Sequence, residues 1–320
     1  MNHDDNHTVR LTTDLLAGGA RCLGGFAAAA LGAAVAGCGG SSAPTGELTV
    51  AIQSEDTITG GLSAGMGDED IVDGWDVTFD KYIAAFGEVH IHAMAAGGSD
   101  VHTDANLVID LRTVPETGRV VGTRTLPEGR YSFEYDMPHA TAALTRDGSV
   151  SQADFDRMVA EECSYLIAGT ATNGSRSIDF DFCLDAEARY ECSAMEGMEG
   201  IAVSAGATTA FMTIHGDHLF FNGFPVGDEA VVRRRAGWLA LVDDATGADG
   251  TVDNADLEAT PISILPSADY SLAGAPMVEG MAVTNMALYA RAQLVTQGHL
   301  NGEGECLANG VGHMHLDRGL

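Results

Sequence analysis

Lysine is nearly absent from this chain. Lys81 is the one lysine in 320 residues, and every other base is arginine. Acidic residues outnumber basic ones 46 to 16, for a formal net charge of −30. Such a surface repels nucleic acid and anionic lipid headgroups, and suits a salty or cation-rich exterior. Catalytic signatures are missing as well. There is no GxSxG, HExxH or CxxC and no phosphate-binding glycine loop, so the many glycines read as turn residues. These absences favour a binding protein over a catalyst. Long apolar runs are also lacking: the small-residue run at 22–37 (CLGGFAAAALGAAVAG) is too short and glycine-rich to span a bilayer.

That run has the length of a signal peptide, and it ends in Val35-Ala36-Gly37-Cys38, followed by GGSSAPTG. The motif resembles the lipobox of bacterial lipoproteins, whose peptide is cut before the cysteine and whose thiol is lipidated. The resemblance implies a signal peptide over 1–37, a membrane anchor at Cys38 and a polar tether over 38–46. It places the protein in a Gram-negative-type cell envelope, at the outer membrane or its periplasmic face. The segment departs from the pattern in carrying Asp4, Asp5 and Asp14 against Arg10 and Arg21, and in holding Cys22 inside the apolar run. Of the 46 acids and 16 bases, residues 1–37 hold three and two, so 43 and 14 remain on the mature chain.

Four cysteines would remain: Cys163, Cys183, Cys192 and Cys306. An even count in an exported protein reads as two disulfides, with three possible pairings. Strand-like patterns flank Thr172-Asn173-Gly174, which fits a three-residue hairpin loop. That register sets Cys163 opposite Cys183, Leu166 opposite Phe180 and Ala168 opposite Ile178. The expected bridges are therefore Cys163–Cys183 and Cys192–Cys306, the second tying the C-terminal tail to the body.

From residue 47 onward the hydrophobic period is mostly two, with turn residues between short runs. ELTVAIQ (47–53), two pieces around Gly87 within 75–94, NLVIDLR (106–112), RVVGTRTL (119–126) and RYSFEYDM (130–137) all read as strands. DGSVSQADFDRMVAEE (147–162) reads as a turn and a helix capped by Ser151. Residues 201–215 return to strand, whereas 228–245 and 283–297 have helical period. The expected fold is mainly β: an antiparallel, immunoglobulin-like β-sandwich over 47–224 with a helical insertion, and an α-rich segment over 225–320 packed on it.

The histidines matter through their arrangement. His90 and His92 lie two apart on a strand pattern, so their rings share one face, a spacing suited to copper or zinc. His215 and His218 flank Gly216-Asp217, and a turn at Gly216 would let the rings converge with Asp217 as ligand or orienter. His313 and His315 repeat the two-apart spacing, and His299 precedes the run that ends in Cys306. A Cys192–Cys306 bridge would bring this tail toward residues 192–218, making a composite site of His215, His218 and tail histidines possible. The bland alternatives are solvated histidines and a polar turn.

A second candidate is calcium. DDATGADGTVDNADL (243–257) resembles the second half of an EF-hand loop, with Asp249, Thr251, Asp253 and Asp256 in ligand-like places. The first half departs from the pattern: Ala245 and Gly247 stand where Asp is wanted, and Asp244 would serve only with an insertion. DGSVSQADF (147–155) matches DGTVDNADL (249–257) at several positions without upstream carboxylates, so part of the motif is a turn followed by a capped helix.

Residues 106–137, NLVIDLR followed by TLPEGRYSFEYDM, are similar to a passage of exported MbnP-like β-sandwich lipoproteins, some of which bind copper through histidines. The resemblance implies a β-sandwich and makes His90 and His92 natural ligand candidates. The functional expectation is a lipid-anchored envelope protein that binds a divalent metal, as carrier or sensor. The rivals are a structural or adhesive surface lipoprotein without metal, and a metal-dependent hydrolase, which needs three ligands around an open position beside a cleft.

Overall fold

The computed structural model describes residues 43–67, 69–95, 98, 100–192, 200–224, 232–302 and 304–308. The lipobox, Cys38, His313 and His315 lie outside them. The strands are β1 (Thr45–Gln53), β2 (Asp76–Ala93), β3 (Val101–Asp110), β4 (Arg119–Pro127), β5 (Gly129–Met137), β6 (Thr145–Arg146), β7 (Tyr165–Asn173), β8 (Arg176–Leu184) and β9 (Ala188–Cys192). They continue with β10 (Ile201–Val203), β11 (Ala207–Ile214), β12 (Thr251–Asp253), β13 (Gly298–Leu300) and β14 (Gly304–Ala308). The helices are α1 (Asp56–Thr59), α2 (Gln152–Ala160), α3 (Trp238–Thr246), α4 (Asn254–Ala259) and α5 (Met286–Leu294).

The architecture is mainly β and sandwich-like, with open mixed sheets. One sheet runs β4-β1-β11-β13; the other runs β12-β8-β7-β2-β5-β9, and the β13–β14 hairpin joins them because β14 pairs with β9. Three pairs are parallel, β1 with β11, β8 with β12 and β3 with β6, so the expected purely antiparallel arrangement does not hold. Crossovers returning from distant parts of the chain create these pairs, and periodicity within a strand carries no trace of them. Residues beyond 225 contribute strands β12 to β14 as well as helices.

Period-two patterning builds the core. In β5, Tyr131, Phe133, Tyr135 and Met137 are buried while the residues between them are half-exposed. With Phe79, Tyr82, Phe86, Tyr165, Phe182 and Trp238 they form one aromatic-rich core. The two strand pieces expected around Gly87 are one strand, β2, whose register against β3 shifts there as a bulge. Its first half pairs with β7 and its last residues with β5.

The Cys163–Cys183 bridge is present, but the hairpin register that suggested it is not. Asn173 pairs with Arg176 across a two-residue loop, Gly174-Ser175, with Gly174 at φ 54°. Leu166, not Cys163, stands opposite Cys183. Cys163 lies before the strand, where α2 has just ended, and both cysteines join a second small core with Leu166, Phe155 and Met158. Ser151 caps α2 by accepting from the Asp154 amide. Cys192 and Cys306 are directly opposed partners of β9 and β14 and form the other bridge.

The helix expected over 228–245 begins only at Trp238. Upstream, Arg234 bridges both Ile71 and Phe221 in extended form. The Asp73 carboxylate then accepts from the Ala236 and Gly237 amides and starts the helix from a distance. The helix expected over 283–297 is α5, capped by Asn285 and buried on nearly every side.

Candidate metal centre

β11 ends at Ile214, and a 3-10 turn over Gly216–Phe220 follows His215. The turn forms because the chain passes under α1 and the Tyr82 ring. A Cβ on Gly216 would come within 2.6 Å of Ile58 Cγ1, so only glycine permits this approach. The turn swings His218 back beside His215. His299 arrives on β13, opposite Thr213 in the adjoining ladder, and so lies diagonal to His215 on the same face.

The three imidazoles form one cluster. The His215 and His299 rings stack at 3.8 Å between centroids, and His218 meets them edge-on at 5.6 and 5.3 Å. One nitrogen from each ring lies within 4.8 Å of the other two. Nitrogens around a tetrahedral zinc with bonds of about 2.0–2.1 Å sit roughly 3.3 Å apart, a spacing within the bound that the three rings meet.

The surroundings fix which nitrogens hold lone pairs. His215 Nε2 is 2.8 Å from the Gly302 carbonyl, which can only accept, so the proton sits on Nε2 and the lone pair of the neutral ring on Nδ1. The Thr296 hydroxyl donates to the Gln293 carbonyl at 2.7 Å and therefore accepts from His218 Nδ1 at 2.9 Å, leaving the His218 lone pair on Nε2. His299 Nδ1 is buried and finds no hydrogen-bond partner among the described residues. Burial, then the neighbouring His215 and Arg234, hold the His218 pKa well below the ordinary imidazole range. Burial, then His215 and His218, push His299 down to about 2. Both rings are thus kept neutral, the form that ligates a metal.

Carboxylates lie at the edge of the cluster. Asp217 is 1% exposed; Arg234 holds its Oδ2, while Oδ1 has no hydrogen-bond partner among the described residues and lies 3.9 Å from His215 Nδ1. Glu55 Oε1 is 3.5 Å from His215 Nε2. Asp217 approaches His215 alone, so it is not a member of the convergent set.

The other predicted residues fall into two groups. His90 and His92 share the outer face of β2 with rings 6.1 Å apart, yet they serve different partners. His92 faces Asp100 at 3.3 Å and Glu134 at 3.7 Å. His90 instead converges with Glu88 and Asp136. The predicted calcium residues do not gather among the described residues. Asp244 pairs with Arg176, Asp249 accepts from the Thr251 amide and hydroxyl, and Asp253 with Asp256 forms a reciprocal capping box on α4.

His299 completes the triad; its place in the tail ahead of Cys306 was the sequence signal for it. His102 and Asp136 left no such signal, because they meet His90 only through sheet pairing, while Glu88 stands two residues before His90 on the same strand. No family model matches this chain, no curated protein matches it, and no solved structure matches it.

Proposed function

We propose that this protein is a lipid-anchored envelope protein that holds one first-row divalent metal ion, copper or zinc, through His215, His218 and His299. It acts as a carrier or sensor rather than a catalyst. The carrying observation is the convergence of three imidazoles, two with one nitrogen engaged by a carbonyl or hydroxyl and the third with an orphaned buried nitrogen. Buried polar atoms without partners are costly, and a bound ion removes that cost. Imidazole donors suit copper and zinc better than calcium, and the 243–256 carboxylates are already engaged in caps and turns.

The two disulfides belong to an oxidising compartment, in keeping with export. Among the described residues no helix is long and apolar enough to cross a membrane. Attachment through Cys38 rests on the lipobox-like Val35-Ala36-Gly37-Cys38. The test is metal content of the full chain purified with disulfides intact. One equivalent of copper or zinc, lost in both His218→Ala and His299→Ala, is the expected result. A folded, metal-free wild type that takes up neither ion sinks the reading.

A further inference from the structure

We propose that the outer face of β2 and β5 carries a second, exchangeable site for a first-row divalent cation, built from Glu88, His90 and Asp136. It goes beyond the buried triad and shares no residue with it. Glu88 and His90 share one face of β2, and Asp136 on β5 stands diagonal to His90, which pairs with Glu134, and on the Glu88 side of it. One donor atom from each of the three lies within 4.8 Å of the other two.

His90 Nε2 carries the argument. It is buried and has no hydrogen-bond partner among the described residues. Glu88 Oε2 lies 3.5 Å from it and Asp136 Oδ2 3.9 Å. Across the ring, His90 Nδ1 meets His102 Nδ1 at 2.8 Å, so one of these nitrogens must donate to the other. When His90 donates, its Nε2 lone pair points at the same spot as two anionic oxygens. Three electron-rich atoms converging without a proton repel each other unless a cation lies among them. Donors bound at about 2.1 Å in a tetrahedral shell are roughly 3.4 Å apart, close to the observed His90–Glu88 separation.

Neighbouring groups support this assignment. Arg189 grips Asp136 at 2.6 and 3.0 Å, which fixes the carboxylate while leaving each oxygen a further lone pair. His102 is a positioning residue that sets the His90 tautomer. His92 is drawn off to Asp100 and Glu134. Two carboxylates and one imidazole suit zinc or manganese, with water in the remaining positions, and Arg189 shares the Asp136 charge with the ion. The Glu88 side chain is 56% exposed, so an ion here is open to chelators, whereas the triad lies beneath the surface.

The test titrates the metal-stripped full chain with Zn²⁺ against a chromophoric chelator, then follows release into excess EDTA. The expected wild type binds two equivalents, one released fast and one slowly. Glu88→Gln, which leaves an exposed side chain of the same shape, weakens the fast equivalent more than about tenfold, and His102→Ala does so by about tenfold to a hundredfold. His90→Ala abolishes it, and each leaves the slow one in place. A single equivalent that survives both Glu88→Gln and His90→Ala overturns this proposal and leaves the triad standing. A single equivalent lost in His90→Ala but kept in His218→Ala supports this site and overturns the triad. No zinc uptake overturns this proposal, and no uptake of either zinc or copper overturns the triad as well.

Discussion

Among the described residues three histidine-containing groups converge; the third, His139 with Asp185 and Glu187, is held by an ion pair, and the other two were built by different parts of the fold and differ in what they can hold. The buried cluster is made of three rings from the end of β11, the turn after it and β13, with the protons of His215 and His218 taken up by a backbone carbonyl and a hydroxyl. The outer cluster sits on neighbouring strands of one sheet face, where alternate residues are polar by default, and it mixes one ligating imidazole with carboxylates. Burial makes neutral, preorganised nitrogen donors; exposure leaves charged oxygens that trade partners with arginine and water. The cluster on the sheet face needs period two and the pairing of neighbouring strands, whereas the buried one needs a turn, a hairpin and a disulfide to meet.

The largest expected effect separates the two through the disulfides. Cys192–Cys306 spans 114 residues and closes the hairpin that carries His299, while Cys163–Cys183 spans 20 and supports the α2 side. Loop-closure entropy gives roughly 4.7 kcal/mol for a loop near 100 residues and about 3 for one near 15. Replacing Cys192 and Cys306 with serine should therefore lower stability in urea more than replacing Cys163 and Cys183, and only the first change should weaken the buried site. Equal losses of metal from both variants would break the comparison.

Acid should act next on the buried cluster. His218 and His299 have depressed pKa values in the folded chain, so the unfolded chain binds protons that the folded chain does not. Their contribution is complete above the unfolded imidazole pKa near 6.5 and is lost as pH falls below it. Each ring should cost about 1.4 kcal/mol per pH unit in that window. The metal-free protein should accordingly destabilise between about pH 6 and pH 4, and His218→Gln with His299→Gln should flatten the profile. A profile unchanged by these substitutions would contradict their burial as neutral rings.

A finer probe is Thr296→Val, which removes the acceptor for the His218 Nδ1 proton without changing shape. It should weaken the buried site by about tenfold to a hundredfold while the outer site keeps its affinity. The smallest effect belongs to the acidic loop that resembles a calcium site. Asp253→Ala should cost about 1 kcal/mol through the lost cap of α4 and leave calcium uptake unchanged. A calcium-dependent rise in melting temperature that disappears with Asp253→Ala would overturn the reading of that loop as a capped turn.

Much of this was legible in the sequence because local rules governed it. The period-two runs at 47–53, 119–126 and 130–137 became strands near those boundaries, and Ser151 caps the helix it precedes. The cysteine pairs also emerged, although the hairpin register behind one of them was off because a two-residue loop at Gly174-Ser175 replaced the three-residue one. Non-local events stayed hidden. The parallel pairing of β1 with β11 and the Asp73 carboxylate that delays α3 to Trp238 each depend on residues far apart in the chain. The triad lay between these cases. The HGDH turn was visible, its third member was visible only as part of a histidine-bearing tail, and the pairing of β11 with β13 selected His299.

The most direct test is X-ray absorption at the metal edge of the full chain, loaded with one equivalent of zinc and washed briefly with EDTA to clear exposed sites. The account predicts a retained ion with three imidazole nitrogens at about 2.0–2.1 Å, and loss of that signature in His299→Ala. A retained ion ligated mainly by oxygen, or one unaffected by His299→Ala, would contradict it.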